Sequence, residues 1–143
     1  MKPLKSILLI DDDETTNFLN HRLLSRMETA EQINVVTNGE EALDYINQVC
    51  TVTQADTTAQ CPELILLDIK MPVMDGFEFL DELQRVYDSF TSRPVVLMLS
   101  SSASFYDLER IKAYSVVKKH YSKPLKEADV KEIFQEYFPK NLS

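Results

Sequence analysis

The sequence predicts an α/β fold in which a parallel sheet lies between two layers of helices. Three observations predict it. Four short runs are apolar at nearly every position, at residues 7–10, 64–67, 95–99 and, more briefly, 116–117. Strands buried on both faces read this way, because neither face can carry polar residues. Between the runs lie segments whose apolar residues recur at helical spacing, so strand and helix alternate along the chain. A chain of 143 residues, 44% of them hydrophobic, fits one domain with a substantial core. The right-handed crossover rule folds such an alternation into a doubly wound sandwich.

The elements follow in order. Residues 7–10 form the first strand and run into Asp11, Asp12 and Asp13. Residues 14–27 carry Phe18, Leu19, Leu23 and Met27 at helical spacing. Residues 33–37 read as a short strand, weakened by Asn34 and Thr37, and Asn38-Gly39 is a turn. Residues 40–49 place Ala42, Leu43, Ile46 and Val49 on one helical face. The polar stretch at about 50–62 is long for a connection in such folds and reads as a surface insertion. The strand at 64–67 ends in Asp68. Asp75-Gly76 opens a helix to about Tyr87, with Phe77, Leu80 and Leu83 as its stripe and acids in its first turn.

Pro94 starts the next strand, where its missing N–H is tolerated, and that strand ends in Ser100. Helical spacing resumes over 104–113. The last strand begins at Val116-Val117 and leads to Lys123-Pro124. Residues 125–138 close the chain with Val130, Ile133, Phe134 and Tyr137 as a stripe. The count is five strands and five helices in a single domain over 1–143, without repeat, linker or change of composition.

Charge excludes some functions. A net charge of −8 and a pI near 4.7 argue against binding to nucleic acid or an anionic membrane, which need a basic face. The apolar stretch behind the amino-terminal lysines is too short for a signal peptide, and no run is long enough to span a bilayer. Both absences favour the cytoplasm. There Cys50 and Cys61 are expected as free thiols, and neither His21 nor His120 stands at a spacing that would complete a soft-metal site with them.

In open α/β sheets ligands bind at the carboxyl ends of the strands. Asp11, Asp12 and Asp68 meet there, and carboxylates that close repel one another unless a cation neutralises them. An oxygen-only donor set points to Mg²⁺, with Mn²⁺ as a substitute. Acids after a strand also cap the following helix, and that role suffices for Asp13 or Glu14. Lys123 can serve as a point charge for a phosphoryl oxygen, or be one surface lysine among fifteen basic residues. Ser100 can serve the same group, or begin a loop and a helix cap.

Taken together, Ile7-Leu8-Leu9-Ile10-Asp11-Asp12-Asp13, Leu66-Leu67-Asp68-Ile69-Lys70-Met71-Pro72-Val73-Met74-Asp75-Gly76, Leu97-Met98-Leu99-Ser100 and Lys123-Pro124 resemble the receiver domain of two-component response regulators. They match that family's acidic pair, phosphoacceptor segment, switch hydroxyl and Lys-Pro, in order, across nearly the whole chain. The resemblance implies the flavodoxin-like strand order 2-1-3-4-5. It implies that Asp68 takes a phosphoryl group from a sensor histidine kinase or histidine phosphotransfer protein. Asp12 would bind Mg²⁺ directly and Asp11 through water, with Asp68 and the backbone carbonyl of Lys70 completing the protein ligands. Ser100 would turn inward to the phosphoryl group and Lys123 would pair with it, contacts that bias two conformations. The chain would catalyse only its own phosphorylation and dephosphorylation.

The sequence departs from the family at a few positions. Three residues before the lysine, the switch aromatic is replaced by His120, with Tyr121 next, which raises the expectation of pH-sensitive signalling. Ala113-Tyr114-Ser115 stands where a small, glycine-containing turn is usual. Lys70 and Ser102 occupy the two positions that tune phosphate lifetime. No effector domain is expected before Ser143, so output would pass to an unknown downstream protein, as a monomer or a phosphorylation-dependent dimer. That protein would read the face of the 104–113 helix, the last strand and the 125–138 helix, with Tyr114, Tyr121 and Phe138 either as contacts on it or as ordinary core or rim packing.

Two other readings compete. Asp11-Asp12-Asp13-Glu14-Thr15 also matches the signature of haloacid dehalogenase-type phosphatases, with Asp11 as nucleophile and Asp13 as general acid. That reading leaves Asp68 and the segment to Gly76 unexplained and lacks the later acidic pair. The third reading is a receiver-like module that binds partners without phosphorylation.

Overall fold

The computed structural model describes residues 2–51 and 61–142. Most of the expected insertion, residues 52–60, lies outside the described residues. Five strands, β1 (Leu4–Ile10), β2 (Ala30–Val36), β3 (Leu64–Asp68), β4 (Val95–Ser100) and β5 (Val117–Ser122), form one parallel sheet in the order β2-β1-β3-β4-β5. Between and after them run α1 (Glu14–Arg26), α2 (Gly39–Cys50), α3 (Gly76–Val86), α4 (Phe105–Ile111) and α5 (Glu127–Tyr137), with short 3₁₀ turns at Tyr87–Ser89 and Pro139–Leu142. This is the doubly wound, flavodoxin-like topology that the resemblance implies.

The wholly apolar strands conceal a strict alternation. Leu8, Ile10, Ile65, Leu67, Val96 and Met98 join a core with Ile46 of α2 and Phe79, Leu80 and Leu83 of α3. Ile7, Leu9, Leu64, Leu66, Leu97 and Leu99 join a second core with Leu23 and Leu24 of α1 and Ile133 and Phe134 of α5. Each strand thus feeds two cores, and each fully buried aliphatic side chain contributes about 1.5–3 kcal/mol relative to exposure. The register pairs Ile10 with Leu67, Asp68 with Leu99 and Ser100 with Ser122, so the strands end nearly in step.

Helix α1 differs from its expected stripe. Phe18 and Leu19 are exposed, and the buried face is Thr16, Asn17, Asn20, Leu23 and Leu24. The two asparagines are buried where they satisfy backbone groups, and the Thr16 hydroxyl donates to the Asp13 side chain. Asn17 Nδ2 donates to the Asp11 carbonyl at 2.8 Å, and the Leu125 N–H donates to Asn20 Oδ1 at 3.2 Å. A buried amide that completes such bonds is stabilised where an unpaired one would be costly.

The cysteines are paired, contrary to the expected free thiols. Cys50 ends α2 and Cys61 precedes β3, and their Cα atoms lie 4.7 Å apart in a disulfide that spans 11 residues. The two cysteines flank the polar stretch, so a loop-closing disulfide was open to them, and compartment was given more weight than that proximity. Proximity of that kind is what cystine geometry requires.

Two of the three candidate surface aromatics are also inside. Tyr114 and Tyr121 are buried, and their hydroxyls donate to Asp81 Oδ1 and Glu132 Oε1, each at 2.7 Å. Phe138 packs partly buried against the second core. The exposed aromatics on that side are Phe105 and Tyr106 of α4.

Candidate functional site

The site is assembled at the carboxyl edge of the sheet. Asp11 follows β1 and is buried; Asp12 is exposed; Asp68 is the last residue of β3 and is buried. Adjacent strands ending in step bring these carboxylates together, with ligand oxygens of all three within 4.8 Å of one another. Asp11 Oδ1 accepts from the Asp13 N–H at 2.9 Å, and Asp68 Oδ1 accepts from the Ile69 N–H at 2.9 Å.

Lys123 lies among the acids. Its Nζ is 2.6 Å from Asp11 Oδ2 and 2.9 Å from Asp68 Oδ1, and its side chain is only 10% exposed. The Lys123 N–H donates to the Ser100 carbonyl at 3.0 Å, which ties the end of β5 to the end of β4. Asp12, Asp68, Lys70, Ser100 and Lys123 line one cleft of about 210 Å³. The structure therefore brings together every residue singled out for this edge, with Asp11 as the buried partner of Lys123.

The electrostatics follow from that packing. Burial pushes the Asp68 carboxyl up to about 6, the Asp11 charge adds to the rise, and Lys123 opposes it. Burial alone would lower the Lys123 ammonium, but its bonds to Asp11 and Asp68 outweigh burial and raise it. The two upward shifts are compatible: one ammonium serves two carboxylates and sits closer to Asp11, so Asp68 is only partly compensated.

Asp13 does not join the acids. It caps α1, accepting from the Thr15 N–H at 3.3 Å and the Thr16 hydroxyl at 2.5 Å, and the Thr16 bond holds its carboxyl below the usual range. A fully engaged cap is unavailable as the general acid of the phosphatase reading.

The segment after Asp68 depends on the only two glycines in the chain. A Cβ on Gly76 would lie 2.3 Å from the Asp68 carbonyl oxygen, and one on Gly39 would lie 2.7 Å from the Met74 carbonyl oxygen. Both N–H groups also bond this segment, Gly76 to the Ile69 carbonyl at 2.8 Å and Gly39 to the Met74 carbonyl at 2.9 Å. Asp75 and Glu78 form a capping box at the start of α3. The segment also holds Val73 at φ 70°, where a β-branched residue is strained.

Sequence reasoning missed Asn17 and Asn20, which steady the two loops around Lys123 and Asp11, and Asp107 of α4, which lines the cleft. The signal for the asparagines was present: residues 16, 17, 20, 23 and 24 share one helical face. His120 lies on β5, opposite Met98. Its Nε2 is enclosed without a hydrogen-bond partner among the described residues, and burial lowers its ring below the usual histidine value.

Comparison with known proteins agrees with this geometry. The family model of the response regulator receiver domain matches residues 7–135. The chain is 32% identical over 131 residues to a probable methanogenesis regulatory protein of Methanothrix harundinacea, covering 91% of this chain and 79% of that protein. It is 30% identical over 139 residues to hybrid signal transduction histidine kinase L of Dictyostelium discoideum, of which it spans only 7%. The crystal structure of a two-component response regulator from Cytophaga hutchinsonii superposes with a TM-score of 0.80 at 29% identity, covering 94% of this chain and 97% of that one. With a matching family model, a matching fold and an acidic cleft at the carboxyl edge, the chain belongs to the response regulator receiver-domain family, the phosphoacceptors of two-component signalling.

Proposed function

We propose that Asp68 is the phosphoacceptor and that a sensor histidine kinase or histidine phosphotransfer protein is the donor. Asp68 Oδ1 is engaged by Lys123 and the Ile69 N–H, which leaves Oδ2 to attack phosphorus. The P–N bond to the donor imidazole breaks, a P–O bond to Asp68 forms, and the departing ring takes up a proton. The single observation that carries the reading is the convergence of Asp11, Asp12 and Asp68 with Lys123 on one small cleft.

The oxygen-only donors fit a hard divalent cation, Mg²⁺ or Mn²⁺. Asp12 would hold it directly and Asp11 through water, with Asp68 and the Lys70 backbone carbonyl completing the protein ligands. When bound, such a cation neutralises negative charge on phosphoryl oxygens. Lys123 supplies a positive charge to the same carboxylates in the free protein, then turns to the phosphoryl group. The Ser100 hydroxyl donates to that group as well. Both contacts are specific to the phosphorylated state, so they shift the population toward the conformation that makes them. His120 reports the shift at the face of α4 and β5, where a downstream protein binds; nucleic acid and membrane are not its partners.

Incubation with acetyl phosphate and Mg²⁺ tests the assignment. Wild-type protein acquires an alkali-labile phosphoryl group, and Asp68→Asn acquires none. Labelling that survives in Asp68→Asn but is lost in Asp11→Asn would overturn it in favour of the phosphatase reading.

A further inference from the structure

The Cys50–Cys61 bond takes no part in the phosphoacceptor chemistry, and its two sulfurs differ in access. Cys50 ends α2 wholly buried in the first core, whereas Cys61 is half-buried at the rim of that core. A thiolate arriving from outside therefore reaches Cys61 first. Each cysteine is also held by bonds that do not depend on the disulfide. The Cys50 carbonyl accepts from the N–H and the hydroxyl of Thr91, each at 3.1 Å, and Ala42, Ile46 and Val49 anchor α2 in the core. Two residues beyond Cys61, the Glu63 N–H donates to the Ser6 carbonyl at 3.0 Å, and the Glu63 carbonyl accepts from the Val95 N–H at 2.9 Å. Cys61 Sγ lies 3.5 Å from the Ser92 carbonyl oxygen, an acceptor that suits a thiol. Cleavage thus leaves two thiols side by side in a folded protein, which is the condition for closing the bond again.

Helix α2 carries the consequence to the opposite edge of the sheet. It runs back from Gly39 at the carboxyl edge to Cys50 at the amino edge, about 18 Å over its 12 residues. At the far end the Gly39 N–H donates to the Met74 carbonyl at 2.9 Å, and the close approach leaves no room for a side chain. Met74 belongs to the segment between Asp68 and α3 that holds Val73 at positive φ. A helix fastened at both ends cannot slide along its axis. Freed at Cys50 it can, and the Gly39–Met74 seam is where the slide is felt.

We infer that Cys50–Cys61 is a reversible thiol switch, opened by a protein dithiol and closed by hydrogen peroxide, that sets the firmness of the Gly39–Met74 seam. A thiolate of the dithiol attacks Cys61 Sγ, the S–S bond breaks, and the Cys50 sulfur leaves and takes up a proton. The second thiol of the reductant then displaces Cys61, so the protein gains two electrons and two protons and the reductant becomes a disulfide. In reverse, peroxide oxidises Cys61 to a sulfenic acid with release of one water, and Cys50 condenses on it with release of another. A looser seam slows the labelling of Asp68. That last link rests on the phosphoacceptor reading; the switch and the seam do not.

Full-length protein with thioredoxin, its reductase and NADPH tests this. Without denaturant, one NADPH per chain should be consumed, both cysteines should become reactive to maleimide, and stoichiometric peroxide should protect them again. Reduction should lower the melting midpoint by about 5–10 °C. It should speed amide exchange at the Gly39 N–H about threefold or more, with little change in α5, which packs in the other core. Acetyl phosphate labelling should slow by a similar factor. Cys61→Ser should match the reduced protein and ignore the reductant; the oxidised and reduced wild type carry the comparison by themselves if that variant does not fold. A bond that yields only in urea, a reduced protein that peroxide does not reclose, or equal exchange at Gly39 in the two forms would overturn the inference. Labelling of both forms at one rate would overturn the link to Asp68. If neither form is labelled, the phosphoacceptor assignment fails, and exchange at Gly39 still decides the switch.

Discussion

Strands β1 and β3 differ from β5 in a way that divides the site into two parts. In β1 every residue but Lys5 is buried, and in β3 every residue is; in β5 only Tyr121 is. The inner strands are clamped between two cores and between neighbouring strands, so Asp11 and Asp68 have little freedom to separate. His120 belongs to an edge strand that pairs on one side only, and Lys123 follows directly after that strand. Segments with fewer buried apolar contacts open at lower free-energy cost. The carboxylates are thus on the rigid part of the sheet and their counter-charge is on the yielding part. With Asp68 as the proposed acceptor, a switch built this way would move the yielding strand and leave Asp68 in place.

Removing the counter-charge is the most severe way to break that division. Lys123→Met leaves the buried carboxylates of Asp11 and Asp68 facing one another with no counter-charge between them. Deleting one partner of a buried ion pair costs about 3 kcal/mol or more. Urea denaturation in chelator should show that loss, and added Mg²⁺ should recover part of it by binding the folded state. A stability equal to wild type in chelator would mean that Lys123 is a bystander to the acids.

A smaller effect, of opposite sign, comes from the rigid side. Burial holds the folded Asp68 carboxyl up at about 6, against the ordinary aspartate value of 3.8. A folded value above the unfolded one means that folding favours the protonated form. The associated stability is complete below pH 3.8 and is lost as pH rises through about 6. At pH 7 without metal the ionised carboxylate is therefore a net cost. Asp68→Asn should stabilise the protein there by about 1–2 kcal/mol, less than the full shift implies because the cleft is open to water. The gain should shrink as pH falls from 7 to 4. A destabilised Asp68→Asn at pH 7 would show that the Lys123 bond outweighs burial and repulsion.

The same contrast explains what could be read in advance. The inner strands were legible because burial on two faces leaves no polar positions, and the site acids because each ends such a run. What the runs could not reveal was which residue faces which core, since Leu8 and Leu9 look alike yet enter different ones. Helix α1 misled because its buried face carries Asn17 and Asn20, chosen for bonds to distant backbone, while Phe18 and Leu19 are left outside. Surface contact and core packing stayed open for Tyr114 and Tyr121 because their hydroxyl partners, Asp81 of α3 and Glu132 of α5, lie far off in sequence. The Cys50–Cys61 bond depends on where two chain ends meet in space, which composition does not encode.

The mildest test concerns His120, on the yielding strand. Its Nε2 is enclosed with no partner among the described residues, so part of the cost of burying a polar nitrogen is uncompensated. Burial also lowers its pKa, so folding favours the neutral ring. The associated stability is present above the ordinary value of 6.5 and is lost as pH falls through the depressed folded value. This opposes the Asp68 trend in the acid range and separates the two residues experimentally. His120→Phe should raise stability at pH 7 by no more than about 1 kcal/mol, since the apolar ring abolishes the unpaired atom. Below pH 6.5 the gain should grow, where wild type must charge a half-buried imidazole or lose structure around it. If the variant instead loses stability at every pH, the imidazole contributes packing that phenylalanine cannot reproduce. If its gain is flat with pH, His120 does not titrate with folding, and the expected acid sensitivity of the α4–β5 face falls with it.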